Sequence, residues 1–284
     1  MALSKAVAGD FSLIFTLVQP LTKILVKSEN FMNNSTVPRL SKVPELTLLF
    51  WIIKIAATTL GETAGDAVSM SMNLGYLVGT AIFSAIFIIA ATAQIRAKSF
   101  HPLLYWTTVI ATTTVGTTLA DFADRSLGIG YAGGASLLFV LLLGSLALWY
   151  KSLGSVSVNT ISTPKAEMFY WLTIMFSQTL GTALGDWTAD TAGLGYGGGA
   201  LIFGVLLAMV AATYYWTKLS RTLLFWAAFI LTRPLGAVLG DFLDKPLDHG
   251  GLALSRYSAS AALLFVMIAC SLLFPQRAGA ASEH

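Results

Sequence analysis

Apolar runs recur along almost the whole chain, separated by short polar breaks. A helix needs about 20 residues to cross about 30 Å of hydrocarbon. Eight such runs are predicted, at roughly residues 46–67, 74–95, 102–122, 131–150, 167–187, 197–216, 222–242 and 252–274. The expected fold class is an all-α integral membrane protein.

Polar positions inside these runs follow a rule. An aromatic-Trp pair is followed ten residues later by Gly, and five residues after that by Asp, in four places. The Trp residues are Trp51, Trp106, Trp171 and Trp226, the glycines Gly61, Gly116, Gly181 and Gly236, and the acids Asp66, Asp121, Asp186 and Asp241. Successive copies are offset by 55, 65 and 55 residues at all three positions. Copies one and three, like two and four, are 120 residues apart, so a duplicated pair of units is the simplest history.

Each unit holds two runs, so every copy enters the membrane in the same direction, as parallel repeats about an axis normal to the bilayer. The expected architecture is four parallel two-helix repeats in a pseudo-fourfold arrangement of eight transmembrane helices. All four Asp residues then lie at one depth. Small residues one turn apart before each Asp (Gly61/Gly65, Gly116/Ala120, Gly181/Gly185, Gly236/Gly240) suit close helix approach, which predicts that the odd helices form the inner ring. The repeats are expected at about 41–97, 98–152, 163–217 and 218–275, followed by a tail at 276–284. Before them, residues 1–40 stand outside the pattern and are read as an extension with an interfacial helix over Phe11 to Val26.

Composition agrees with this reading: 56% of the 284 residues are hydrophobic, 11% are charged, and mean hydropathy is +0.74. The single cysteine, Cys270, excludes an intrachain disulfide and a Cys-based metal cage. Net charge is only +3, but twelve of the basic residues, among them Lys42, Arg96, Lys98, Lys151, Lys165 and Arg221, fall on the termini or even-numbered loops. The positive-inside rule makes that side cytoplasmic, with both termini inside a bacterial inner membrane. Nine acids collect at the opposite ends of the odd runs.

The stretches Gly61-Glu62-Thr63-Ala64-Gly65-Asp66, Thr179 to Asp186, Thr232-Arg233-Pro234-Leu235-Gly236 and Lys245 to Gly251 carry a resemblance. From about residue 41 to 274 the chain resembles a family of bacterial multi-pass membrane proteins built from a tandem repeat of unknown function. The resemblance implies the fold and carries no assigned activity.

The acids are the candidate chemistry. Four carboxylates converging in a low dielectric raise one another's pKa unless cations, protons or basic partners meet them. Glu62 adds a fifth acid, one turn before Asp66 and specific to copy one. Asp124, Asp190 and Asp244 follow the ring acids of copies two, three and four by three or four residues, on the same helical face. Copy one has Met70 instead, and Met72 close by. Hard oxygens with a nearby thioether favour manganese or another first-row divalent ion, held by Glu62, Asp66, Met70, Asp121, Asp186 and Asp241. Helix capping by the Asp residues, a proton relay and an organic-cation site stay open beside that reading. Lys54 and Arg233 are intramembrane cations, read either as fixed counter-ions, with Glu62 two turns from Lys54 on nearly the same face, or as tethered occupants of the acidic site.

No phosphate-binding loop, G-x-S-x-G or H-E-x-x-H motif is present, and no extramembrane stretch is long enough for a nucleotide domain. The expectation is a transporter, not an enzyme. Its cargo is a small cation, with a bound divalent metal, manganese favoured, as the one cofactor and no nucleic-acid partner. A cation channel, a proton-coupled organic-cation transporter and a non-transporting sensor or assembly protein are the alternatives, and homo-oligomer formation is left open.

Overall fold

The computed structural model describes residues 41–279; the extension at residues 1–40 lies outside the described residues. Among the described residues there are eight α-helices and no β-strand beyond one isolated bridge, Pro44 with Ala278. They are α1 (Leu48–Asp66), α2 (Gly75–Arg96), α3 (Pro102–Asp121), α4 (Tyr131–Leu153), α5 (Pro164–Asp186), α6 (Gly195–Trp216), α7 (Arg221–Asp244) and α8 (Arg256–Leu273). Three odd helices start at hydroxyl caps. Thr47, Thr163 and Ser220 accept from the backbone N–H groups of Phe50, Ala166 and Leu223, which fixes each helix start within two turns of its aromatic-Trp pair.

The odd helices form a closed ring in which α1 packs on α3, α3 on α5, α5 on α7 and α7 on α1. Outside it, each even helix packs on the inner helix of the next repeat: α2 on α3, α4 on α5, α6 on α7, and α8 back on α1. The two helices of one repeat are therefore not each other's main packing partners, and the repeats interlock.

The glycines account for the tightness of the ring. A Cβ at Gly61 would overlap Thr113, one at Gly116 would come within 2.9 Å of the Gln178 backbone, one at Gly181 would overlap Arg233, and one at Gly236 would overlap Thr58. All four clashing residues stand seven positions after their own Trp, so the same crossing recurs at every inner interface. Only glycine lets a neighbouring backbone this close.

Six helices are long and apolar enough to cross a membrane: α1 (with the turn that follows it), α2, α4, α6, α7 and α8. The other two, α3 and α5, are as long, at 20 and 23 residues, but carry polar side chains that the ring buries. In α3 the hydroxyls of Thr108, Thr112, Thr114 and Thr118 donate to carbonyls of their own helix, which satisfies them without water. The chain is a membrane protein with an internal fourfold repeat.

After Asp66, Asp121 and Asp186 the backbone widens into one π-helical turn, over Ala67–Ser71, Phe122–Ser126 and Trp187–Thr191. Single π turns of this kind often mark functional positions. Helix α7 differs, staying α-helical through Asp244 before a short 3-10 turn at Leu247–His249. The reversals after the π turns need left-handed backbone at two residues each, Asn73 and Gly75, Gly128 and Gly130, and Gly193 and Gly195.

Candidate functional site: a layered axis ending in carboxylates

Counting in fours from the aromatic before each Trp gives five layers on the inner ring, and all twenty side chains are buried. The first layer is Phe50, Tyr105, Tyr170 and Phe225; the second is Lys54, Val109, Ile174 and Phe229. Then come Thr58, Thr113, Gln178 and Arg233, followed by Glu62, Thr117, Thr182 and Ala237, and last Asp66, Asp121, Asp186 and Asp241. A spacing of four moves each position about 40° around its helix, so the layers follow a spiralling stripe along each inner helix.

The first layer closes the axis with rings. The Tyr105 and Tyr170 hydroxyls hydrogen-bond at 2.7 Å, while Phe50 packs on Trp106 at 5.4 Å and Tyr105 on Trp171 at 5.7 Å between centroids. The Trp106 indole N–H donates to Gln276 Oε1 and that of Trp226 to the Val156 carbonyl, which ties this end to the surrounding segments.

The last layer is ionic. Lys245 Nζ lies 2.6 Å from Asp66 and 2.9 Å from Asp241, bridging α1 and α7. Arg125 stands 2.9 Å from Asp121 and 3.4 Å from Asp186, bridging α3 and α5. Two cations thus divide the four Asp residues into two clamped pairs. Arg256, at the start of α8, adds a 2.9 Å contact to Asp244 and a 3.7 Å contact to Asp66. Burial works against the Lys245 ammonium, but Asp241, Asp66 and Asp244 outweigh it and raise its pKa above the ordinary lysine value. A cation held that way stays charged through neutral and moderately alkaline pH, and its stabilising contribution is lost only as pH climbs through the raised value.

Glu62 is the hub beneath this ring. Its carboxylate oxygens come within 4.8 Å of ligand atoms from Asp186 and Asp241 in one group, and from Asp66 and Asp121 in another. It also takes Arg233 Nη2 at 2.9 Å and the Thr117 hydroxyl at 3.2 Å. The same Arg233 nitrogen donates to Thr117 at 2.7 Å and to Thr182, and its stem lies across Gly181. Arg233 therefore is the counter-ion of Glu62.

The pairing of Lys54 with Glu62 expected from helix spacing is not formed. Two turns along one helix separate them by about 12 Å, whereas Arg233 reaches Glu62 directly across the α1–α7 interface. The Lys54 ammonium instead lies 4.1 Å from the centroid of the Phe229 ring.

The second acids divide by backbone geometry. Asp244 joins Asp66 and Asp241 in a compact carboxylate group because α7 keeps its α-helical turn between residues 241 and 244. Asp124 and Asp190 lie inside π turns, which rotate them off the face predicted for an α-helix. Asp124 lies by Gly134 of α4, and Asp190 is exposed. Met70 is half-buried in the π turn after Asp66, and Met72 is exposed.

Sequence reading missed Arg125, Lys245 and Arg256. A local signal existed for two of them: in copies two and four a basic residue follows the ring Asp by four positions, as Asp121/Arg125 and Asp241/Lys245.

A multi-pass, all-α repeat protein with a buried acidic layer at one end of its inner ring is the class these observations define. The chain belongs to the family of the Repeat of Unknown Function (DUF347), whose pattern matches residues 49–100, 104–154, 169–220 and 224–278. No curated protein and no solved structure matches the chain.

Proposed function

We propose that this protein is a membrane carrier for a small cation, with a divalent transition metal such as manganese as cargo. The pathway runs along the axis of α1, α3, α5 and α7 in a pseudo-fourfold bundle of eight transmembrane helices. Both termini face the cytoplasm of a bacterial inner membrane, and the acidic layer opens to the outer side. The observation that carries this reading is Glu62, whose carboxylate belongs to two groups of three acids with oxygens mutually within 4.8 Å, one with Asp66 and Asp121 and one with Asp186 and Asp241. Oxygen-rich clusters of this kind suit hard and borderline divalent ions.

Lys245 and Arg125 hold the carboxylates when cargo is absent. An entering divalent ion competes with them, and its departure lets the tethered cations return, which keeps the acidic layer from being left unbalanced. The aromatic layer is the closed end of the path in this state. Proton exchange at the same carboxylates, or a channel-like passage, are variants of one pathway.

Uptake or efflux in sealed vesicles tests the reading. Mn, Zn, Fe, Co, Mg and Ca are compared for the unaltered protein, Asp186→Asn and Glu62→Gln. Cation flux weakened in both variants, with folding retained, is the expected result. Absence of flux for every ion moves the assignment to a sensor or assembly protein. A reporter fused between Lys151 and Lys165 checks orientation, and a signal from outside the cytoplasm would overturn it.

A further inference from the structure

Copies two and three are 65 residues apart and the other neighbours 55, so the middle of the chain holds extra length that neither half contains. It falls in the connection from α4 to α5, residues 154–163, at the aromatic end of the inner ring. There the Val156 carbonyl accepts from the Trp226 indole, as Gln276, 120 positions on, accepts from Trp106. A third segment, residues 41–45, joins both. Ser41 N–H donates to the Gly279 carbonyl, Glu45 N–H to that of Arg277 and Lys42 N–H to that of Ile161, while Gly279 N–H donates back to Val43. Val43, Val156, Val158 and Ile161 are buried in one apolar cluster with the ring aromatics.

One side chain fastens this strap to the helices. Lys42 Nζ lies 2.6 Å from Glu167 Oε1 in the first turn of α5, and 3.3 and 3.0 Å from the Gln94 and Ile95 carbonyls at the end of α2. These carbonyls are among the last four of α2, which the helix leaves open at the negative end of its dipole. All three ammonium protons are thereby engaged. Neither partner recurs in the other half of the chain, where Ser162 stands for Lys42 and Thr47 for Glu167 at an offset of 120. The repeat fold therefore does not demand this ion pair.

The inner helices resist parting, because their crossings are contacts that only glycine admits. The strap is a short segment outside every helix, held by a few backbone hydrogen bonds of small net worth and by the Lys42 group. Detaching it is the least costly way to loosen this end.

We propose that residues 41–45 gate the aromatic end of the inner ring, and that the gate is released when Lys42 leaves Glu167 and the α2 carbonyls. With the strap withdrawn, the rings lose one wall of their packing and are free to turn. Taking this end as the mouth of a cation path rests on the carrier reading; the detachment itself does not.

The full chain carrying Cys270→Ala receives one reporter at a time: Ile161→Cys under the strap, Val109→Cys one turn deeper than Tyr105 on α3, and Val238→Cys near the acidic end of α7. All three positions are buried. Labelling by a small thiol reagent in detergent then follows transient opening. Lys42→Met should speed labelling at Ile161→Cys and Val109→Cys at least about tenfold and leave Val238→Cys unchanged. Lys42→Arg should keep labelling slow, as should Glu45→Gln, an exposed position on the same strap. Should Lys42→Met fail to fold, Glu167→Gln, which keeps the shape and removes the charge, takes its place. Equal acceleration at all three reporters is global loosening, and acceleration at Ile161→Cys alone is a cover that gates nothing; either result, or no change, overturns the proposal. In sealed vesicles the pair Pro44→Cys/Ala278→Cys, directly opposite in the one antiparallel bridge, locks the strap as a disulfide. Its oxidation should stop manganese flux and a reductant should restore it. Flux that ignores the formed disulfide overturns the gate, whereas absence of flux in the reduced protein overturns the carrier reading and leaves the gate to the labelling result.

Discussion

The inner ring closes its axis at both ends, by opposite means. At one end Phe50, Tyr105, Tyr170 and Phe225 meet as rings joined by a single hydroxyl contact. Sixteen residues on, about 24 Å at the helical rise, Asp66, Asp121, Asp186 and Asp241 are held by Lys245 and Arg125. Packed aromatic rings have no outside competitor, so such an end opens only when helices or rings move. An ionic closure can be displaced by another cation while the backbone stays in place. The two ends are thus expected to answer different perturbations, the first to shape and the second to charge.

The largest effect should come from Arg233, between the two ends. Arg233→Met leaves Glu62 buried without its cation and should destabilise by about 3–5 kcal/mol, measured by thermal unfolding in detergent. Adding Glu62→Gln should restore much of that loss, because the stranded charge is removed with its partner. A double variant no better than the single one would show that packing of the Arg233 stem on Gly181, and not charge, dominates.

Gly181→Leu should follow, at about 3 kcal/mol, because its side chain must displace Arg233 and Pro234 at the α5–α7 crossing. The control is Gly204→Ala on the outer helix α6, where a Cβ meets nothing within 4 Å. It should be neutral or gain up to about 1 kcal/mol from helix propensity. Equal tolerance at both glycines would remove the difference between inner and outer helices.

Lys245→Met tests the ionic end itself. Asp66 and Asp241 lose their shared cation, so stability in metal-free buffer should fall by about 2 kcal/mol. Added divalent ion should then recover more stability than it gives the unaltered protein, since the tethered competitor is gone. An ion response that does not change would separate the Asp layer from cation binding. Smallest of all, Tyr105→Phe should cost about 1 kcal/mol by leaving the Tyr170 hydroxyl unpaired. Divalent ions should not compensate that loss, and the Tyr105→Phe/Tyr170→Phe double variant should lie close to the unaltered protein.

How far the sequence discloses these ends depends on whether a feature repeats. The glycines and ring acids were legible because all four copies impose the same close crossing and the same layer, and the small-residue spacing carries its physical meaning on one helix. Arg125 and Lys245 were harder to see. Their role depends on reaching carboxylates on neighbouring helices, and each sits in a polar turn where a basic residue draws no attention. The π turns leave no common residue pattern in AVSMS, FADRS and WTADT, so the rotation of Asp124 and Asp190 off the predicted face had no sequence signal. Nor could hydropathy reveal that each even helix packs on the following repeat, because that choice is made by tertiary packing.

Interlocked packing also changes what counts as the start of this protein. The last outer helix, α8, covers the first inner helix, and the strands of chain flanking them meet: Ser41 N–H donates to the Gly279 carbonyl and Glu45 N–H to that of Arg277. Topologically the repeats form a necklace whose clasp is a few backbone hydrogen bonds, and no bead is first. A chain opened instead in the loop between α4 and α5, with residues 41 and 279 joined by a short linker, would keep every helix contact described above. The identity of each copy's neighbours is thus set by packing around the ring, with the fourth copy beside the first.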